Sequence, residues 1–149
     1  MSINIEYIDK IIIINQCNNC NKCNIKYNNR DSLISELSIK NKNKSFTNSY
    51  FKLNNEKLNN LQILKKLYLY NKNSLDNIID NTTLNIKKSN YNKKGFVFID
   101  DLNISIQYPN NYRLIKEIIN LLMLYPNIII KLEIIEKKNK KVLFNQMIQ

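Results

Sequence analysis

The pattern of apolar and polar positions predicts both strands and helices in the first third of the chain. Apolar, β-branched residues dominate positions 3–15, which predicts a strand. A turn at the cysteines and a short returning strand would then make an N-terminal hairpin over residues 3–29. Residues 31–39 have an apolar face and begin with Asp31 in an N-cap position, so a short helix is expected there. A polar, basic loop and a strand over residues 46–53 follow.

Helical spacing is clearest in the middle of the chain. Between residues 55 and 70, leucines and one tyrosine recur every three or four positions, which predicts a helix with Lys57 facing solvent. A second, shorter helix is expected over residues 74–80, with Ser74 as its cap. The polar and basic stretch 81–94 contains at most an edge strand, so the pattern constrains it least.

The C-terminal third of the chain predicts a compact unit in which pairs of strands precede and follow one helix. Two short strands are expected over residues 95–99 and 103–108. Asn110 can then cap a helix over residues 111–125 that is apolar around most of its circumference. Two further strands, joined by the basic turn "KKNKK", complete a ββαββ unit over residues 95–148, with the helix packed across an antiparallel sheet. The whole pattern therefore predicts a single small α+β domain over residues 1–149, with an antiparallel sheet and two to four helices.

The amino-acid composition bounds the class of protein and indicates the kind of genome that encodes it. The chain has 149 residues, the size of one ordinary domain, and its 44% hydrophobic content excludes a fully disordered protein. Alanine, histidine and tryptophan are absent, and there is one glycine. Asparagine, isoleucine, lysine and tyrosine, which AT-rich codons specify, take their place. We infer an AT-biased genome, such as that of an organelle, a reduced symbiont, a virus or a protist.

The charge balance indicates the kind of partner. Net charge is +11, from 23 basic and 12 acidic residues, and a small domain this basic attracts polyanions, of which nucleic acid is the commonest. The alternative is a solvated surface made basic by lysine codons alone. Three lysine-rich loops at strand ends would form a cationic patch if the sheet brought them together, and Tyr91 within the second could stack on a base. The candidate nucleic-acid-binding residues are Lys40, Lys42, Lys44, Lys87, Lys88, Tyr91, Lys93, Lys94, Lys137, Lys138, Lys140 and Lys141.

The cysteines form the most regular motif in the sequence. Cys17, Cys20 and Cys23 are the only ones, and their C-x2-C-x2-C spacing resembles the start of a ferredoxin-type cluster run, but Tyr27 stands at the fourth position. Structural zinc needs four ligands, so Asp31 or a neighbouring subunit would have to complete the site. The alternative is that the thiols act as small hydrophobes that shape a turn. We therefore expect no cofactor, with zinc at the three cysteines as the alternative.

The residues needed for common catalytic sites are missing. Without histidine the usual general base and nucleophile pairs cannot form, and one glycine excludes a P-loop or a dinucleotide-binding fingerprint. The adjacent Asp100 and Asp101 could hold Mg²⁺, although aspartates also favour turns. We expect a protein that is not an enzyme and has no small-molecule substrate. No apolar run is long and uninterrupted enough to predict a membrane span.

Together these features favour a non-catalytic, RNA-contacting component of a large assembly. The expectation is a divergent ribosomal protein of an AT-rich organelle, with RNA and neighbouring proteins as partners, inside the matrix of a mitochondrion or plastid. A virus- or phage-encoded structural protein that acts through strand pairing in a virion is the first alternative. A small transcription factor that depends on zinc at the cysteines is the second.

Overall fold

The structure, a computed structural model, describes residues 4–7, 12–15, 30–125 and 130–148. Within these ranges the chain forms a small α+β domain with four helices and antiparallel sheets. In chain order the elements are β1 (Asn4–Tyr7), β2 (Ile12–Asn15), α1 (Arg30–Lys42), β3 (Ser49–Leu53), β4 (Glu56–Leu58), α2 (Asn60–Tyr70), α3 (Leu75–Asn81), β5 (Ile86–Lys87), β6 (Phe96–Ile99), β7 (Ile104–Gln107), α4 (Asn111–Leu124), β8 (Ile130–Glu136) and β9 (Val142–Ile148).

Three antiparallel sheets organise the described strands. A four-stranded sheet has the order β4-β3-β8-β9, a three-stranded sheet has the order β5-β7-β6, and β1 pairs with β2. The predicted fold class is confirmed, and the ββαββ order appears as β6, β7, α4, β8 and β9. Its two hairpins belong to different sheets, so α4 links the three-stranded sheet to the four-stranded one.

The N-terminal segment differs from its prediction. Residues 3–15 do not form one strand, because β1 and β2 pair with each other in a register that joins Asn4 to Asn15 and Tyr7 to Ile12. Every strand needs a partner for its backbone N–H and C=O groups, and these two strands supply that partner for each other. The predicted returning strand of the 3–29 hairpin lies outside the described residues.

Helix α1 is longer than predicted and starts differently. Asp31 lies in its first turn rather than at the N-cap, and the helix ends at Lys42, two residues into the segment 41–45 that was predicted as a basic loop. The last turn is held by tertiary contact, since the side-chain amide of buried Asn41 donates to the carbonyl oxygen of Tyr112 at 3.1 Å. Lys44, with a φ of 58°, then lies in the turn that follows the helix.

Helix α2 begins at Asn60, five residues later than predicted. Asn54 and Asn55 both have positive φ (51° and 70°) and form a two-residue turn, the conformation that closes a β-hairpin. Glu56–Leu58 therefore returns along β3 as β4 instead of starting the helix. Asn59 then caps α2. Asparagine tolerates the left-handed conformation, which is why two of them can override a helical pattern of leucines.

The remaining predicted elements are found close to their expected positions. α3, β6, β7, α4, β8 and β9 match within a few residues, although Ser74 makes no side-chain hydrogen bond as the cap of α3. Asp100 and Asp101 form a 3₁₀ turn between β6 and β7. Buried apolar side chains of all four helices and of both larger sheets form one cluster, which includes Leu37, Ile63, Ile78, Ile106, Ile118 and Ile134.

A carboxylate is buried inside this core. Glu117 of α4 is fully buried and accepts hydrogen bonds from the hydroxyl groups of Tyr68 and Thr82 and from the backbone N–H of Thr83. Burial, and then the charge of Glu117, raise the pKa of the Tyr68 phenol well above its usual value of 10.0. The network ties α2 and the segment after α3 to α4.

Candidate nucleic-acid interface

A groove of about 1010 Å³ opens where α2 and α4 begin. Its walls come from the start of β3, from β4, from the residues between β7 and α4, and from the turn between β8 and β9. We call it the basic groove and define it by the residues that line it: Thr47, Ser49, Tyr50, Phe51, Lys57, Leu58, Asn59, Asn60, Tyr108, Pro109, Asn110, Asn111, Lys137 and Lys140.

Two asparagines hold the floor of the basic groove together. Asn60, 8% exposed, donates from its amide to the carbonyl oxygen of Pro109 at 2.9 Å and to Oδ1 of Asn111 at 3.3 Å. The amide of Asn111 in turn donates to the carbonyl oxygens of Phe46 at 2.9 Å and Ser49 at 3.1 Å. These bonds fix the start of α2, the start of α4 and the entry to β3 relative to one another.

Both helices present capped N-termini at the groove. Oδ1 of Asn59 accepts from the N–H of Gln62, whose side chain accepts from the N–H of Asn59, each at 2.9 Å. Oδ1 of Asn110 accepts from the N–H of Arg113 at 2.9 Å. A helix N-terminus carries a partial positive charge and N–H groups without intrahelical partners, so each adds to a positive potential in the groove.

Three lysines line the basic groove, and no carboxylate does. They are Lys57 of β4 and Lys137 and Lys140 of the β8–β9 turn, all exposed. The ion pairs between described residues do not involve any of the three. Nζ of Lys57 lies 4.4 Å from the centroid of the Tyr50 ring, which steadies the ammonium group without neutralising it. The groove is therefore a concave surface of one sign of charge.

Two of the three predicted lysine-rich loops lie at the same end of the four-stranded sheet. The backbone N–H of Lys137 donates to the carbonyl oxygen of Asn48 at 3.2 Å, so the turn that carries Lys137, Lys138, Lys140 and Lys141 adjoins the segment that follows Lys44. Lys40 and Lys42 are different, because they belong to α1 and not to a loop. Lys40 already pairs with Glu36 at 3.3 Å and donates to a backbone carbonyl of β9.

The third predicted loop, residues 87–94, packs largely on the three-stranded sheet. The backbone N–H of Tyr91 donates to Oγ of Ser105 at 2.8 Å, and its ring meets that of Phe96 edge-on, with centroids 4.8 Å apart. Nζ of Lys87 lies 5.5 Å from the centroid of the Tyr91 ring. Lys88 lies 3.8 Å from a carboxylate oxygen of α3. Tyr91 is thus a half-buried anchor of its loop.

The end of this third loop approaches the basic groove. The carbonyl oxygen of Gly95 accepts from the backbone N–H of Tyr108 at 2.8 Å. Gly95 has a φ of 88°, a conformation that side chains rarely adopt, so the single glycine of the chain stands where the turn requires one. Lys93 and Lys94, both exposed, are the two residues before it in the chain.

Comparison of the chain with protein-family models, with curated proteins and with solved structures finds no match. Among the described residues, no helix combines the length and the apolar character that crossing a membrane requires. Function therefore has to be inferred from the groove and from the sequence.

Sequence reasoning missed several residues of the basic groove. Lys57 was placed on a helix, while Tyr50 and Tyr108 appeared only as strand residues. Asn110 was predicted as a helix cap, but nothing in its local sequence indicates that a second capped helix starts beside it. The signal for Asn59 was the glutamine three positions later, a capping-box pattern that marks the true start of α2.

The sequence offered two candidate metal sites, one at Asp100 and Asp101 and one at the three cysteines. Asp101 lies 2.7 Å from Nζ of Lys65, and this hydrogen bond and charge lower the pKa of the Asp101 carboxyl. The described part of the chain contains no group of three or more histidine, cysteine, aspartate or glutamate side chains placed to hold a metal ion. Cys17, Cys20 and Cys23 lie outside the described residues, so zinc binding and turn formation both stay predictions.

Proposed function

We propose that the chain is a non-catalytic, RNA-contacting component of a large assembly, and that the basic groove binds the RNA backbone. The observation that carries this proposal is the set of three exposed lysines in a groove lined by no carboxylate. Lysine ammonium groups bind phosphates electrostatically and release counterions, which supplies most of the affinity of sequence-independent binding. The proposal assigns no catalytic role to any residue.

The uncharged lining supports the same proposal. Phosphate and sugar contacts in nucleic-acid complexes come from lysines, amide and hydroxyl side chains, backbone N–H groups and helix N-termini. The basic groove combines all of these, since four asparagines and two capped helices surround the lysines. Because hydrogen bonds hold its floor, binding would not require the protein to rearrange.

The charge and composition of the whole sequence support one kind of assembly. A charge of +11 on 149 residues and an AT-biased composition favour a divergent ribosomal protein of an organelle, acting in the matrix beside neighbouring proteins. Its core would serve as a rigid scaffold that presents the groove.

The test uses two double variants that remove the same charge from the same turn. Lys137→Gln with Lys140→Gln changes lysines that line the groove, whereas Lys138→Gln with Lys141→Gln changes exposed neighbours that do not. Affinity for single-stranded RNA is measured by titration over a range of salt concentrations. Since each phosphate contact contributes about −0.7 to the slope of log K against log salt, the first variant should flatten that slope by about 1.4. The second should leave the slope close to that of the wild type.

Equal effects of the two variants would contradict the groove as the binding site and would indicate diffuse attraction by net charge. If the wild-type protein does not bind RNA even at low salt, the proposed function is wrong. Thermal unfolding of both variants provides the folding control, because the four side chains are exposed.

One observation favours the viral structural protein as a second candidate. In the described residues β6 pairs with β7 alone, and Val97 on this strand is 41% exposed. An edge strand with an apolar side chain can accept a strand from another subunit. Self-association that persists at high salt, without RNA binding, would favour this candidate over the first.

A further inference from the structure

We infer that the basic groove takes an unpaired segment of RNA, with one base stacked on the ring of Tyr108. This inference rests on the proposed function and goes further, because it names the form of RNA that the groove selects.

Tyr108 is an aromatic side chain left open in a polar groove. It is 51% exposed, and among the described residues neither another ring nor an ammonium group packs against it. Tyr50, the other tyrosine of the groove, has Lys57 over its ring. Tyr108 is therefore the ring in the groove with a face available to a ligand.

The backbone of Tyr108 is fixed on both sides. Its N–H donates to Gly95 at 2.8 Å, and Pro109 follows, which restricts the conformations of the residue before it. Pro109 is itself buried, and its carbonyl oxygen accepts from Asn60. Tyrosine also has few rotatable bonds, so a stacking platform at this position loses little conformational entropy on binding.

The groove offers room and charge for a strand beside that ring. Cavities of about 300 to 1,000 Å³ enclose one drug-sized ligand, and the groove volume of about 1010 Å³ slightly exceeds that range. Tyr108, Lys57, Lys137 and Lys140 all line this space. A strand with its bases unstacked can place a base on the tyrosine and its phosphates on the lysines at the same time.

Duplex RNA could use only part of this surface. In an A-form helix the base faces are stacked inside, and the outside offers phosphates and 2′-hydroxyl groups. A duplex could therefore contact the lysines at the rim but could not present a base face to Tyr108. Selectivity for the unpaired form should accordingly depend on the tyrosine, while the salt dependence should depend on the lysines.

The test measures binding of the full chain to a single-stranded oligouridine and to an RNA duplex of the same length at one salt concentration. The wild type should bind the strand at least fivefold more tightly than the duplex. Tyr108→Ala should weaken strand binding at least fivefold, since stacking of one base contributes about 1–3 kcal/mol by alanine substitution. Tyr108→Phe should restore strand affinity to within twofold of the wild type, because the ring face is kept.

Tyr70→Ala is the matched control. Tyr70 is 54% exposed and lies at the far end of α2 from the groove, about 15 Å along the helix axis. This variant should change neither affinity. The comparison of strand with duplex needs only the wild type, so it remains decisive if Tyr108→Ala does not fold.

The two proposals fail in different ways. Equal wild-type affinity for strand and duplex, or an equal loss of both in Tyr108→Ala, would overturn the stacking inference and leave RNA binding by the lysines in place. Binding of neither RNA by the wild type would overturn both proposals.

Discussion

Asparagine side chains connect elements of this chain that are distant in sequence. Asn41 ties α1 to α4, while Asn60 and Asn111 join the starts of α2, α4 and β3. These contacts could not be predicted, because asparagine is abundant throughout the sequence and a bonded asparagine looks the same as a solvated one. Only the caps Asn59 and Asn110 had a local signal, since an N-cap bonds to the residue three positions later.

The buried pair Tyr68 and Glu117 predicts a dependence of stability on alkaline pH. Burial and the Glu117 charge raise the pKa of Tyr68, so the folded state keeps the phenol protonated where the unfolded state loses its proton. The contribution of this pKa difference to the free energy of unfolding is fully present below pH 10 and declines above pH 10 by about 1.4 kcal/mol per pH unit. Urea unfolding between about pH 9 and 11 should show this extra decline in the wild type and not in Tyr68→Phe.

The control for this experiment is Tyr70→Phe, which changes an exposed tyrosine of the same helix. It should follow the wild type at every pH. If Tyr68→Phe instead loses stability in parallel with the wild type, the decline comes from other groups and the Tyr68 phenol does not titrate as described.

At the scale of elements, the prediction succeeded where the apolar pattern and the caps agree. α4 has Asn110 before it and buried positions at helical spacing, and β8 and β9 are apolar strands around a basic turn. It failed at β4 and at the end of α1. Before β4, Asn54 and Asn55 adopt positive φ and form the turn of a hairpin. At the end of α1, the tertiary contact of Asn41 extends the helix into residues of low apolar content.

The cap of α4 allows stability and binding to be separated. Asn110→Ala removes the bond to Arg113 and should lower the free energy of unfolding by about 1 kcal/mol. Asn110→Asp keeps a good cap and should hold stability within about 0.5 kcal/mol of the wild type. Its carboxylate enters the basic groove, so RNA affinity should fall severalfold. Chemical denaturation and RNA titration of both variants provide the measurements.

The opposite pattern would contradict the proposed site. Unchanged RNA affinity in Asn110→Asp, at wild-type stability, would mean that phosphates do not approach the start of α4.

At the scale of the whole molecule, the basic groove depends on topology. Its walls come from segments near residues 50, 60, 110 and 140, which meet because β3 pairs with β8 and because α2 and α4 start side by side. From charge alone, the three lysine-rich loops were expected to form one cationic patch. The register joins the tip of the β8–β9 hairpin to the segment before β3, but it leaves Tyr91 and Lys88 on the three-stranded sheet. Local sequence carries no information about that register, so the separation of the third loop from the other two could not be predicted.

The most direct test of the groove as an RNA site is photo-cross-linking of the full chain to a single-stranded RNA that contains thiouridine. Mass spectrometry then identifies the linked peptides. Adducts are predicted in residues 47–60, 108–111 and 137–140, which contain the groove lining. Adducts confined to residues 87–92 or to α1, with none in those three segments, would contradict the account.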